Sequence, residues 1–292
     1  MQRPLADIEM SIDLAREILR EQHPDLATLT LAALDEGWDN ILFRLGCDLI
    51  VRFPRRQLAV ALMRHEQRWL AEIARRCSMA LPAPVRVGEP SQKFPYPWSV
   101  VPWIEGTPGD RVATFDQSAC AAALGGFLRE LHIVAPLDAP KNEFRGGALG
   151  LRGAIFAERC QMVEAELDLR PIRAAFDLAV NAAPWTQPRR WLHGDLHPAN
   201  MIFRNGQLVG VVDFGDMCAG DPATDLAGAW MLLEQNQLEG FFETYGDVDS
   251  TLRARSRGWA ALFGVLFLSI GISGRATYET IGRRTLDLVA ET

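Results

Sequence analysis

The chain has 292 residues, 48% of them hydrophobic and 23% charged, a balance that excludes a collagen-like or extensively disordered protein. Its formal charge of -7 opposes a nucleic-acid backbone as the main partner, since that role requires a net basic face. Cys47, Cys77, Cys120, Cys160 and Cys218 are odd in number, widely spaced and form no CxxC pair, so neither a disulfide framework nor a zinc ribbon is expected.

Near the N-terminus, Asp7, Glu9 and Asp13 stand where a secretory leader would be basic and then apolar, which points to a cytoplasmic protein. Short apolar runs over 29–34, 41–45 and 49–53 are separated by Asp/Gly/Asn punctuation and predict an antiparallel meander that stops at Pro54. The basic run Arg52, Arg55 and Arg56 suits a phosphate-bearing small ligand better than nucleic acid. Residues 57–76 lack Gly and Pro and place Leu62, Trp69 and Ile73 at helical spacing, predicting a helix with one apolar face. Glu66 falls on that face and demands a positive or donor partner, because an isolated buried carboxylate costs several kcal/mol.

Extended segments follow over 81–87 and 98–101, with a connector over 102–106. Beyond it the pattern is helical. Thr114 and Gln117 make a capping-box signature before a helix over 121–131, and further helices are expected over 151–166, 171–181, 226–235 and 257–270. Residues 259–272 are apolar but fall short of the roughly twenty needed to span a bilayer and include Gly264 and Gly271, so a buried helix and no membrane partner are expected. Among the helices, the Asn205-Gly206 dipeptide between two apolar runs predicts a hairpin.

The segment His193-Gly194-Asp195-Leu196-His197-Pro198-Ala199-Asn200 has the H-x-D-x-x-x-x-N spacing of a kinase catalytic loop. Asp213-Phe214-Gly215 follows directly after the hairpin. A hairpin joins its ends, so Asn200 at its entry and Asp213 at its exit offer hard oxygen ligands of the kind Mg²⁺ takes with substrate phosphates. Asp195 is left to orient an acceptor hydroxyl and take its proton, which is sufficient machinery for phosphoryl transfer. His193 and His197 do not read as a zinc pair, because Gly194 and Pro198 break the helix that would align them. His193 is expected to brace the loop by hydrogen bonds, and His132, on an apolar helix end, to be a satisfied core residue.

These residues resemble the aminoglycoside phosphotransferase family of small-molecule kinases, and Asp221-Pro222-Ala223-Thr224-Asp225-Leu226-Ala227 is similar to the D-P-x-x-D-L-A stretch that follows in that family. By their own residues, Asp221 and Asp225 read as helix caps in preference to direct catalytic groups. The resemblance covers nearly the whole chain. It implies a bilobal α+β protein-kinase-like fold, with a small antiparallel-sheet lobe over 1–104, a helical lobe over 105–292 and the active site between them. It also implies ATP or GTP as donor, Mg²⁺ as cofactor and a small hydroxylated molecule as acceptor. Kinases place a strand Lys on the nucleotide phosphates and pair it with a helix Glu; the corresponding residues here are Arg52 and Glu66. The loop around Gly37 corresponds to the phosphate-covering turn but lacks the G-x-G-x-x-G pattern. Nucleotide base contacts are expected at the Pro102 carbonyl and the Ile104 N–H.

The run 51–56 is similar to the macrolide phosphotransferase branch. Glu234 and Glu239 would suit an aminoglycoside acceptor, and Trp230, Met231, Trp259 and Phe263 a macrolide, unless these are solvated helix faces and plain core. Two alternatives from other classes are a non-catalytic nucleotide-binding module and a protein kinase; the latter is opposed by the missing A-P-E motif after Asp213.

Overall fold

The computed structural model describes residues 5–292, so the first four residues of the expected N-terminal lobe lie outside the description. The chain divides into two compact units. One holds the described residues up to Glu105 together with Val212–Gly215, and the other holds Gly106–Val211 and Asp216–Thr292.

The first unit opens with α1 (Ile12–Gln22), which the reading above did not anticipate. Its signal was present: Ser11 accepts from Leu14 N–H at 3.1 Å as N-cap, and Ala15, Ile18 and Leu19 are buried at helical spacing. Strands β1 (Leu31–Glu36), β2 (Asn40–Leu45) and β3 (Leu49–Pro54) form the expected meander. Helix α2 (Ala59–Ala74) follows, then β4 (Arg86–Gly88) and β5 (Trp98–Pro102). The sheet has five antiparallel strands in the order β1-β2-β3-β5-β4. The extended stretch expected over 81–87 is a strand only at its end.

In α2 the buried stripe is Met63, Glu66, Leu70 and Ile73, while Leu62 and Trp69 are partly exposed. Trp69 is covered on its face by the Arg68 guanidinium, 4.4 Å from the ring centroid, so its apolar area is shielded without entering the core. Ile18, Leu19, Phe43, Val51, Phe53, Phe94, Trp98 and Val100 form that core, with Phe53 stacked on Trp98 at 5.2 Å.

The second unit begins with β6 (Thr107–Pro108) and α3 (Gln117–Leu131). The N-cap of α3 is Asp116, whose carboxylate accepts from Ala119 N–H at 3.0 Å, and not Thr114. The Gln117 side chain instead accepts from Glu234 N–H at 3.1 Å, so the expected capping box is absent and Asp116 caps the helix. Next come α4 (Gly153–Val163), α5 (Arg170–Asn181), β7 (Arg190–Leu192), β8 (Met201–Arg204), β9 (Gln207–Val211) and β10 (Cys218–Gly220). Helices α6 (Ala223–Leu226), α7 (Gly228–Leu232), α8 (Leu238–Tyr245), α9 (Ser250–Gly271) and α10 (Ala276–Glu291) complete it.

Asn205 and Gly206 have φ of 53° and 75°, the signs a type I′ hairpin turn requires, and Met201 pairs with Val211. The single helix expected over 226–235 is interrupted at Ala227 and ends at Leu232, and Gly228 packs so closely on the backbone of the 193–200 loop that a Cβ there would lie 2.9 Å from the Leu196 carbonyl. Helix α9 is longer than expected and almost wholly buried. No helix among the described residues is long and apolar enough to cross a membrane.

A Cβ on Gly88 would lie 1.8 Å from the fully buried Trp98 ring. Gly88→Ala is therefore expected to cost about 1–3 kcal/mol, read as a lower denaturation midpoint; an unchanged midpoint would contradict this packing.

Candidate active site

The loop 193–200 leaves β7 and enters β8 through a short 3-10 turn at Pro198–Asn200. Gly194 has φ of 87°, and a Cβ there would stand 2.4 Å from the Asp216 carbonyl, so both conformation and space call for glycine. The loop is fastened from below by Asp225 of α6, which is fully buried. One Asp225 oxygen accepts from His193 N–H at 2.6 Å, and the other from Gly194 N–H at 2.9 Å. His132 Nε2 stands 3.2 Å from the same carboxylate, while its Nδ1 meets the Tyr245 hydroxyl at 2.9 Å. His132 is thus a satisfied buried residue as expected.

Asp225 is not the helix cap it was read as. Asp221 does serve the start of α6, accepting from Ala223 N–H at 3.1 Å, and also receives Arg255 Nε at 2.7 Å. The buried Arg255 therefore makes Asp221 part of an ion pair as well as a cap.

His193 braces the loop as anticipated, its Nδ1 accepting from Asp195 N–H at 3.1 Å. The Asp195 carboxylate is left partly exposed. Its Oδ2 lies 3.4 Å from His197 Nε2, and its Oδ1 lies 3.4 Å from Nη2 of Arg145, a residue sequence reasoning missed. Arg145 sits in a Gly-rich loop with no periodicity or motif to mark it. Burial pushes the Asp195 carboxyl up, but His197 and Arg145 outweigh it and hold the group below the usual carboxylate range. Asn200 is buried, and its amide nitrogen donates to the Asp195 carbonyl at 2.9 Å. That bond fixes the amide so that its oxygen is the atom left to accept a donor or ligate a cation. Beside Pro198 of the loop lies a cavity of about 320 Å³, walled also by Asp110, Met231 and Arg284.

In the first unit, Arg52 on β3 and Glu66 on α2 are both buried and joined by a two-pronged ion pair, Nη2 to Oε1 at 3.0 Å and Nη1 to Oε2. The buried acid thus has the partner its position demanded. Burial lowers the Arg52 pKa, but Glu66 and, more weakly, Asp213 raise it further, so the guanidinium stays charged. Asp213 has φ of 65°, an unusual left-handed conformation for a residue other than glycine. Hard carboxylate and amide oxygens at Asp213 and Asn200 are the donor types Mg²⁺ accepts.

Arg55 and Arg56 serve the β1–β2 turn instead of a phosphate. Arg55 pairs with Glu36 at 2.5 Å and Arg56 with Asp39 at 2.7 Å. Gly37 N–H is engaged by the Asn40 carbonyl at 2.8 Å, so Gly37 itself offers no free donor. At the end of β5, Trp103 N–H donates to the Asp48 carbonyl at 2.7 Å, and Pro102 and Ile104 are partly buried beside it. Glu239 is an exposed partner of Arg253 at 2.7 Å, and Trp230, Trp259 and Phe263 are buried core.

Comparison with known proteins identifies the family. The sequence model described as the phosphotransferase enzyme family matches residues 30–261. The chain belongs to this family. Its curated relatives include a homoserine kinase of Methylocella silvestris, 32% identical over 162 residues, covering 51% of this chain and 47% of that one. A homoserine kinase of Gluconobacter oxydans is 32% identical over 145 residues, 46% of this chain and 44% of that one. The chain spans about half the length of the curated relatives it matches.

Similar solved structures include a GDP complex of aminoglycoside 2'-phosphotransferase-IIIa, with a TM-score of 0.66 at 21% identity over 97% of this chain and 98% of that one. An apoenzyme of a macrolide 2'-phosphotransferase from Brachybacterium faecium gives 0.63 at 20% identity over 94% and 97%. The fold of the family member is therefore the kinase-like α+β fold that the resemblance implied.

Replacing Asp225 by Asn keeps the shape but turns an amide NH₂ toward groups that already donate. The family member Asp225→Asn is expected to lose about 2–4 kcal/mol of stability, with faster hydrogen exchange at the His193 and Gly194 amides. An unchanged midpoint together with unchanged exchange would remove Asp225 as the fastening of the loop.

Proposed function

We propose that the protein transfers the terminal phosphate of ATP or GTP to a hydroxyl of a small molecule. The observation that carries this reading is Asp195, a partly exposed carboxylate held ionised on a loop whose backbone is anchored by a buried acid. The acceptor oxygen bonds to the γ-phosphorus, the bond from phosphorus to the β–γ bridging oxygen breaks, and the acceptor proton goes to the Asp195 carboxylate. Because that carboxyl lies below its usual pKa range, it is a weak base. Its main contribution is orientation, with proton transfer late, as fits a loose phosphoryl-transfer transition state.

Arg52, kept in place by Glu66, takes the part of the usual strand Lys on the nucleotide phosphates. Its guanidinium meets phosphate oxygens through a fixed fork where an ammonium would act as a point charge. Asn200 and Asp213 are the residues that would hold Mg²⁺, which when bound neutralises charge developing on the phosphate oxygens. Pro102 and Ile104 would meet the base. The unit up to Glu105 is thus the nucleotide-covering part, and the unit from Gly106 carries the catalytic loop and the acceptor.

The relatives' names offer two acceptor types. Homoserine kinases favour a hydroxy amino acid, and the solved neighbours favour hydroxyls of aminoglycoside or macrolide antibiotics. A non-catalytic nucleotide-binding module is disfavoured by the prearranged Asp195, since a binding protein gains nothing from a partly exposed carboxylate held ionised by Arg145 and His197.

Asp195→Asn is expected to lower kcat by about 10²–10⁴-fold with nucleotide KM changed by less than about 3-fold. A lowered pKa leaves Asp195 ionised throughout the usual assay range, so kcat should show no acid limb from this group above about pH 5. Turnover within tenfold of wild type in the variant would contradict the assignment.

A further inference from the structure

We propose that Arg145 is an anion-recognition residue for the acceptor, and that the alcohol oriented by Asp195 carries a carboxylate near its hydroxyl, as a hydroxy acid or hydroxy amino acid does. This rests on the phosphotransfer reading above and names the substrate class of that site.

The geometry is that of a pre-set fork. Arg145 Nε donates to the Gly194 carbonyl at 2.7 Å, Nη1 faces the Phe144 carbonyl at 3.3 Å, and Nη2 reaches Asp195 Oδ1 at 3.4 Å. The guanidinium also lies over the Phe263 ring, 5.0 Å from its centroid. A guanidinium has five N–H donors, so these contacts fix its plane and leave donors over for a carboxylate. Its side chain is 17% exposed and that of Asp195 29%, so both are within reach of a small solute.

The charge balance around Asp195 points the same way. The groups acting on its carboxyl are His197, Arg145 and His193, all of them bases. A polyammonium acceptor bringing its hydroxyl to Asp195 would set its own charge against a permanent cation, whereas an acceptor carboxylate would be met by a charge-assisted, two-pronged pair. Of the two acids that sequence reading offered to an ammonium, Glu239 is already committed to Arg253, and Glu234 lines the cavity beside Pro198 without contacting Asp195 or Arg145 among the described residues. Next to the bases the packing is aromatic. His197 meets the Phe267 ring edge-on at 5.1 Å, and Tyr278 stacks on Phe267 at 5.4 Å with the Arg275 guanidinium 5.8 Å from the Tyr278 centroid. A short carbon chain between hydroxyl and carboxylate suits such a wall, and a second cation stands at its far side.

The test compares L-serine and L-homoserine with their decarboxylated counterparts, ethanolamine and 3-aminopropan-1-ol, and with kanamycin, using wild type, Arg145→Gln and Arg145→Lys. Wild type should favour a carboxylate-bearing acceptor over its decarboxylated counterpart by about 10- to 100-fold in kcat/KM. Arg145→Gln should erase that preference through acceptor KM, with nucleotide KM within about 3-fold. Arg145→Lys, which keeps the charge and loses the fork, should restore part of the preference and shows that the site still folds. A wild-type preference for amino alcohols or kanamycin, or a carboxylate preference that survives Arg145→Gln, would overturn the proposal. So would a loss confined to nucleotide KM, which would make Arg145 a phosphate contact. Bound nucleotide with no transfer to any acceptor would be a different failure, removing the phosphotransfer reading and this assignment with it.

Discussion

The bonds from the His193 and Gly194 amides to the buried Asp225 carboxylate are the constraint on which the 193–200 loop depends. Two adjacent N–H groups pointing into the protein force the chain to turn over Gly194, and that turn presents Asp195 outward. A buried carboxylate left without partners would be costly, and the loop amides with His132 are what satisfy it. Stability and placement of the reactive group are therefore one arrangement: the loop cannot relax without stranding a charge.

The Arg52–Glu66 pair is built on the same logic with opposite sign. Arg52 and Glu66 lie on different elements of one unit and would each be untenable alone in their buried positions. Together they keep a guanidinium ionised with Asp213 within its electrostatic reach. Arginine holds this position without the loss of charge that burial can impose on lysine, so the buried guanidinium stays a fixed positive charge.

Much of this was legible in the sequence where the signal was local. The Asn205-Gly206 turn, the spacing of His193, Asp195 and Asn200, and the demand of Glu66 for a cation each follow from backbone conformation or burial within a short stretch. The features that escaped are long-range or carry a signal that competes with another. Asp225 resembles a helix cap because acids cap helices, and only the folded chain brings it under a loop some thirty residues earlier in sequence. Arg145 has no periodic neighbours, and its role comes from the Gly194 carbonyl and Phe263. The interruption at Ala227 was missed because 226–235 is apolar enough for one helix, and the close approach of Gly228 to Leu196 is invisible in composition. At α3, Asp116, two residues past Thr114, took the capping position.

Direct displacement at the γ-phosphorus, with Asp195 orienting the hydroxyl and no covalent intermediate, is the claim to which every assigned role leads. The measurement that tests it most directly is the configuration at phosphorus in the product made from ATP with an isotopically chiral γ-phosphate. The account predicts inversion, the outcome of a single in-line displacement. Retention would contradict it, because two successive displacements would require a phosphorylated group on the enzyme and would give Asp195 or a neighbour a different role.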